Sequence, residues 1–99
     1  MTKAHAPDER VHLDNGRSVP RSDYQRVVQA VEQFLPTMVL GHSYSVETMV
    51  GQKIWRSPLK WHAGAIVAHA VRREFLPLKF AYNGKRATKL YELITRILR

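Results

Sequence analysis

Apolar side chains recur at Tyr24, Val27, Val28, Val31, Phe34 and Leu35, a spacing that gathers them on one side of an α-helix. Arg21, Gln25, Arg26, Gln29 and Glu32 fall elsewhere; Ser22 or Asp23 is the candidate cap, and Pro36 is the stop. Thr37–Leu40 then reads as extended and Gly41 breaks it. "SYSVETMVG" predicts a short helix with Ser45 as cap, Glu47 in the positive first turn, Val46, Met49 and Val50 on the apolar face, and Gly51 just past the end. After a connection from Gln52 to Arg56, Ser57-Pro58 opens a third helix, a hydroxyl cap followed by proline at the first helical position. This helix is expected from Pro58 to about Glu74, with Leu59, His62, Ala63, Ile66, Val67, Ala70 and Val71 inward and Pro77 beyond its end. Ala63, Gly64, Ala65, Ala68 and Ala70 make it slim.

The flanks read differently. Residues 1–20 show no sustained period and are punctuated by Pro7, Asn15-Gly16 and Pro20. They are expected as a mostly flexible arm with a brief extended piece at Val11–Leu13, leaving 21–99 as the domain. In "LKFAYNGKRATK", Asn83-Gly84 is a hairpin signal. A two-residue turn there pairs Tyr82 with Lys85 and Phe80 with Ala87, so the tip carries Lys85 and Arg86, with Lys79 and Lys89 lower down. The tail returns to helical spacing through Leu90, Ile94, Ile97 and Leu98; a strand running through Tyr91 before that helix is the alternative. Its stripe either packs on the Tyr24–Leu35 helix or meets its mate in a homodimer, and Arg96 and Arg99 suit the negative end of a helix. The expected fold class is mainly α with a small β-hairpin.

Composition narrows the function. Ninety-nine residues suffice for one modest core. With no cysteine, disulfides and thiolate metal sites are excluded, which suits a reducing cytoplasm. No apolar run approaches the ~20 residues of a membrane span, and "MTKAHAPDER" lacks the apolar core of a signal peptide; a soluble cytoplasmic protein is expected. The net charge of +8 is unevenly placed: residues 1–50 hold five Lys/Arg and six Asp/Glu, for −1, whereas 51–99 hold eleven Lys/Arg against Glu74 and Glu92, for +9. Such asymmetry points to nucleic acid or an acidic protein surface, the plainer reading being a charge that keeps the protein soluble.

The order helix, short helix, turn, longer helix, hairpin, helix resembles a winged helix-turn-helix over roughly Ser22 to Ile94. The resemblance rests on the Ser45-capped short helix, the Ser57-Pro58 helix and the Asn83-Gly84 hairpin. It is one of fold, without a specific family motif, and the Gln52–Arg56 stretch, with Ile54 and Trp55, is longer than a tight turn. The resemblance implies a second long helix entering the DNA major groove, a wing touching the backbone and a role in transcription regulation. Domains of this size and charge also occur in phages and mobile elements.

A helix N-terminus offers outward N–H groups to anions. Arg56, Ser57 and Lys60 surround that of the Pro58 helix, with Lys53 just upstream, and Trp61 and Gly64 lie away from Leu59 and Ala63. The competing reading is a capped helix with solvated cations. Lys85, Arg86 and Lys89 would form the wing contact, or else guard an edge hairpin against aggregation. Trp55 is expected to fill the corner between helices; Trp61, at the border of the buried stripe, either stacks on a sugar or base or covers the hairpin. His62 and His69 lie seven apart, ~10.5 Å along a helix, too far for one ion that wants ligands at ~2 Å. His5 and His12 sit in the arm, as do Asp8 and Asp14, and neither HExxH, GxSxG nor a glycine-rich phosphate loop is present. The expectation is a non-catalytic protein without metal or cofactor, binding double-stranded DNA through Lys53, Arg56, Ser57, Lys60, Trp61, Lys85, Arg86 and Lys89. Its rivals are a protein-interaction module, inhibitor or adaptor, on an acidic or nucleic-acid-binding surface, and an RNA- or ribosome-binding protein with Trp61 or Tyr82 stacking on unpaired bases.

Overall fold

The computed structural model describes residues 9–83 and 89–94. It begins with a hairpin of β1 (Arg10–His12) and β2 (Ser18–Pro20), Val11 opposite Val19. Asn15 shapes the turn, its Oδ1 accepting from the Arg17 N–H at 2.9 Å. Leu13 and Val19 drop from the hairpin into the core. The stretch expected as a flexible arm therefore contributes two strands and two core side chains from Glu9 onward. The extended piece at Val11–Leu13 is real, and it has a partner.

Helix α1 (Arg21–Phe34) follows without a loop. It starts two or three residues earlier than a Ser22 or Asp23 cap predicts. Pro20 holds the capping position with no side-chain bond, and the Arg21 N–H donates instead to the Glu9 carbonyl at 2.7 Å. Tyr24, Val27, Val31 and Leu35 are buried, as the stripe requires. Pro36 ends α1 in a single 3-10 turn, Leu35–Thr37, after which Met38 is extended. A strand that the sequence does not announce comes next, β3 (Ser43–Ser45).

Helix α2 (Val46–Trp55) is capped by Ser45, whose Oγ accepts from the Thr48 N–H at 3.2 Å. At Gly51 the backbone leaves the helical region, with φ 86° and ψ 167°, so the helix breaks into two short pieces and Gln52–Trp55 takes a new direction. Helix α3 (Lys60–Arg72) carries the slim sequence. It ends with crossed backbone bonds, Phe75 N–H to Ala70 carbonyl at 2.8 Å and Glu74 N–H to Val71 carbonyl at 3.1 Å. This is the Schellman pattern, and its left-handed position is held by Glu74 at φ 63°.

Strands β4 (Leu78–Asn83) and β5 (Lys89–Leu93) complete an antiparallel three-stranded sheet of order β3-β5-β4. The predicted hairpin exists in another register. Asn83 faces Lys89, Tyr82 faces Leu90, Phe80 faces Tyr91 and Leu78 faces Leu93, with a bulge between Phe80 and Tyr82. The pairings Tyr82–Lys85 and Phe80–Ala87 are thus overturned. A two-residue turn would set Lys89 against Leu78, whereas the observed register buries Tyr91 and Leu93 beside the core. Leu90 belongs to a strand that runs through Tyr91 to Leu93, the alternative to the expected helix, while Ile97 and Leu98, the rest of that helix and its dimer seam, lie outside the described residues.

The three helices and the sheet enclose one core, with Val27 and Val31 of α1, Met49 and Ile54 of α2, Ile66 and Val67 of α3, and Leu78, Tyr91 and Leu93 of the sheet. The fold is mainly α with a small antiparallel β component, and a winged-helix-like arrangement is compatible with it. Among the described residues no helix is long and apolar enough to cross a membrane. One polar group joins the core: His69 is 5% exposed, its Nδ1 lies 2.8 Å from the Tyr24 hydroxyl, and the rings meet edge to face. It takes the place on the inner face that the sequence assigns to His62, which is only half-buried. Burial holds its pKa below the ordinary imidazole value; the Arg73 cation acts in the same direction, against Asp14 and a bond to the His12 backbone. Burial likewise raises the Tyr24 pKa.

Candidate nucleic-acid interface

Four residues, Arg56 to Leu59, separate α2 from α3, and Ser57 holds the turn together. Its hydroxyl donates to the Ile54 carbonyl at 2.8 Å and accepts from the Leu59 N–H at 3.2 Å. The next amides are also occupied: Lys60 N–H bonds the Ser57 carbonyl, Trp61 N–H the Pro58 carbonyl and His62 N–H the Leu59 carbonyl, at 2.9–3.2 Å. One expectation is corrected by this: the start of α3 presents no row of open N–H groups to an anion. The Ser57 hydroxyl makes the kind of capping bond expected of it, to the Leu59 N–H, and Ser57 also borders the groove at this turn. An anion arriving here meets side chains.

Those side chains converge. Gln52, Trp55, Arg56, Pro58, Lys60 and Trp61 border one shallow groove across the turn. The Lys60 ammonium lies 5.7 Å from the Trp55 ring centroid and 5.4 Å from that of Trp61, within cation–π range of both. Trp55 rests half-buried against the core, as expected for a corner plug, while Trp61 is 75% exposed. The Arg56 guanidinium is steadied by Nε donating to Gln52 Oε1 at 3.2 Å. Lys53 is exposed on the last turn of α2 but does not border the groove.

Trp55 also borders a second, larger recess of about 650 Å³ between α3 and β5. It is lined by Gly64, Ala65, Ala68 and Arg72 of α3 and by Lys89 and Tyr91 of β5. Lys89 and the Lys60 groove therefore adjoin through one indole. Lys85 and Arg86, the expected wing tip, lie outside the described residues. Arg72 was not foreseen, although its place four and eight residues beyond Ala68 and Gly64 on one helix is readable from spacing. The recess also contains acid: Asp14 of the β1–β2 turn lies 3.4 Å from the guanidinium nitrogens of both Arg72 and Arg73, and Glu47 stands on its rim. Among the described residues the ion pairs are these two and Arg21–Glu9, so none engages Lys53, Arg56, Lys60 or Lys89. Burial raises the Tyr91 pKa, and Arg72 opposes it.

The arrangement can bind an extended anion by side-chain cations and offer a flat apolar surface beside them. Among the described residues no three His, Asp or Glu side chains gather as a metal site would need. Compared with protein-family models, with curated proteins and with solved structures, the chain matches none.

Proposed function

We propose that this is a non-catalytic DNA-binding protein of the cytoplasm, winged-helix-like in its docking, that grips duplex phosphates with α3, the turn before it and the β4–β5 wing. The observation that supports this reading is the adjacency of Lys60, Arg56 and Lys89, cations without a described carboxylate partner, along two recesses that share Trp55. Affinity comes from counterion release, and sequence preference is weak. Between Lys60 and Arg72 the side of α3 that floors the recess is Gly64 with the half-buried Ala65 and Ala68, which offer no side chain that hydrogen-bonds a base edge. The test is a titration of duplex affinity with salt. With about six phosphates neutralised, affinity falls about a thousandfold between roughly 50 and 200 mM salt; affinity independent of salt contradicts the reading.

Phe75, Phe80 and Ile94, all about half exposed, favour a second reading, a protein-interaction module. A stoichiometric protein partner that survives nuclease treatment, with no salt-sensitive DNA binding, would select it.

A further inference from the structure

We infer that Trp61 is a stacking platform for one unpaired nucleobase, so that the preferred partner is DNA with a base out of its stack rather than a perfect duplex. The inference rests on the DNA-binding reading above and sharpens it. An indole 75% exposed is a large apolar surface left in water, on a molecule whose other tryptophan is tucked against the core. Its surroundings match a nucleotide. The Lys60 ammonium lies over the Trp55 and Trp61 rings and braces the Trp61 side chain from one face, and Arg56 borders the same groove, so both cations can meet the phosphate of a nucleotide stacked on the indole surface that remains exposed. Base–indole stacking is indifferent to sequence, because every base has a π-face.

The rest of α3 explains why the base must be unpaired. Beyond Trp61 the exposed residue of α3 before Arg72 is Gly64, with Ala65 and Ala68 half-buried beside it, and the next cation, Arg72, stands about 18 Å from Lys60 along the axis. A helix without reading side chains gains little from the base edges of an intact major groove. It does let a strand approach its backbone closely. A Cβ at Gly64 would meet no atom within 4 Å, so that clearance is open and not filled by the protein itself.

The experiment uses the full chain, with the Trp61 share of the fluorescence read as its difference from Trp61→Ala, and two DNAs of equal length and charge: a perfect duplex and the same duplex with one thymine set opposite an abasic site. Stacking predicts that the unpaired-base DNA binds about 5- to 150-fold more tightly, quenches the Trp61 fluorescence, and loses this preference on Trp61→Ala while the salt dependence persists. Gly64→Gln, on an exposed and unobstructed position, should keep the fold by circular dichroism yet weaken the unpaired-base complex. Equal loss for both DNAs on Trp61→Ala, or binding without quenching, overturns the inference alone. Salt-independent or absent binding of both overturns the underlying reading and this one with it. Tighter binding to an RNA hairpin bearing the same unpaired base also overturns the choice of DNA.

Discussion

At the scale of single residues, two side chains carry strain or burial that can be measured. Glu74 occupies a left-handed position, φ 63°, which costs a residue with a Cβ about 1 kcal/mol that glycine does not incur. Glu74→Gly should therefore raise stability by about 1 kcal/mol in a denaturant titration, the reverse of what glycine does inside a helix. His69 is buried with its pKa depressed, first by desolvation and then by Arg73. The unfolded chain takes up that proton near pH 6.5 and the folded chain only lower, so its stability contribution is full above 6.5 and is lost as pH falls through the folded value. Thermal unfolding from pH 7 to 5 should show stability declining, with a shallower decline in His69→Gln. Neither role is visible in sequence. The sequence stripe takes His62 inward and leaves His69 out, and only packing against Tyr24 makes His69 the buried one.

At the scale of elements, Gly51 sets the direction of the segment that leads into the turn carrying Arg56, Lys60 and Trp61. Its φ 86° and ψ 167° lie where an L side chain is strained whatever the space around it. Gly51→Ala should cost about 1–3 kcal/mol of stability, and in the protein that still folds it should weaken DNA binding by redirecting Gln52–Trp55. Loss of stability with unaltered binding would show that the break is only structural. Elements were legible where one side chain signalled them: the Tyr24–Leu35 stripe, the Ser45 cap, the Ser57-Pro58 boundary. They were illegible where burial spoke through few residues. Ser43–Ser45 shows no apolar alternation and becomes a strand only by pairing with β5. Leu13 and Val19 are isolated apolar positions whose partners lie in the helices. In β5, Leu90 and Ile94 join Ile97 and Leu98 in a helical spacing that hides the alternation of Tyr91 and Leu93. The Asn83-Gly84 dipeptide gave the right hairpin and the wrong register, because a local turn preference yields to burying an aromatic and a leucine.

At the scale of the whole molecule, the proposed function requires charges distant in sequence to act on one polyanion. Lys60 and Lys89 come from opposite ends of the basic half and border recesses joined at Trp55. The site was partly legible: Arg56, Lys60 and Trp61 gather as the spacing predicts, Ser57 holds the turn beside them, and Arg72 enters with its own counter-charge, Asp14. The asymmetry of charge could be read from sequence, but the shared surface depends on how β5 is registered. The direct measurement is the slope of log affinity against log salt for a perfect duplex, in the full chain and in Lys60→Ala, Lys89→Ala and the double variant. One joined surface predicts a slope of about −5, reduced by about 0.9 for each lysine removed and by about 1.8 for both. A slope that Lys89→Ala leaves unchanged while Lys60→Ala lowers it would contradict the claim that the two cations face the same strand of phosphates.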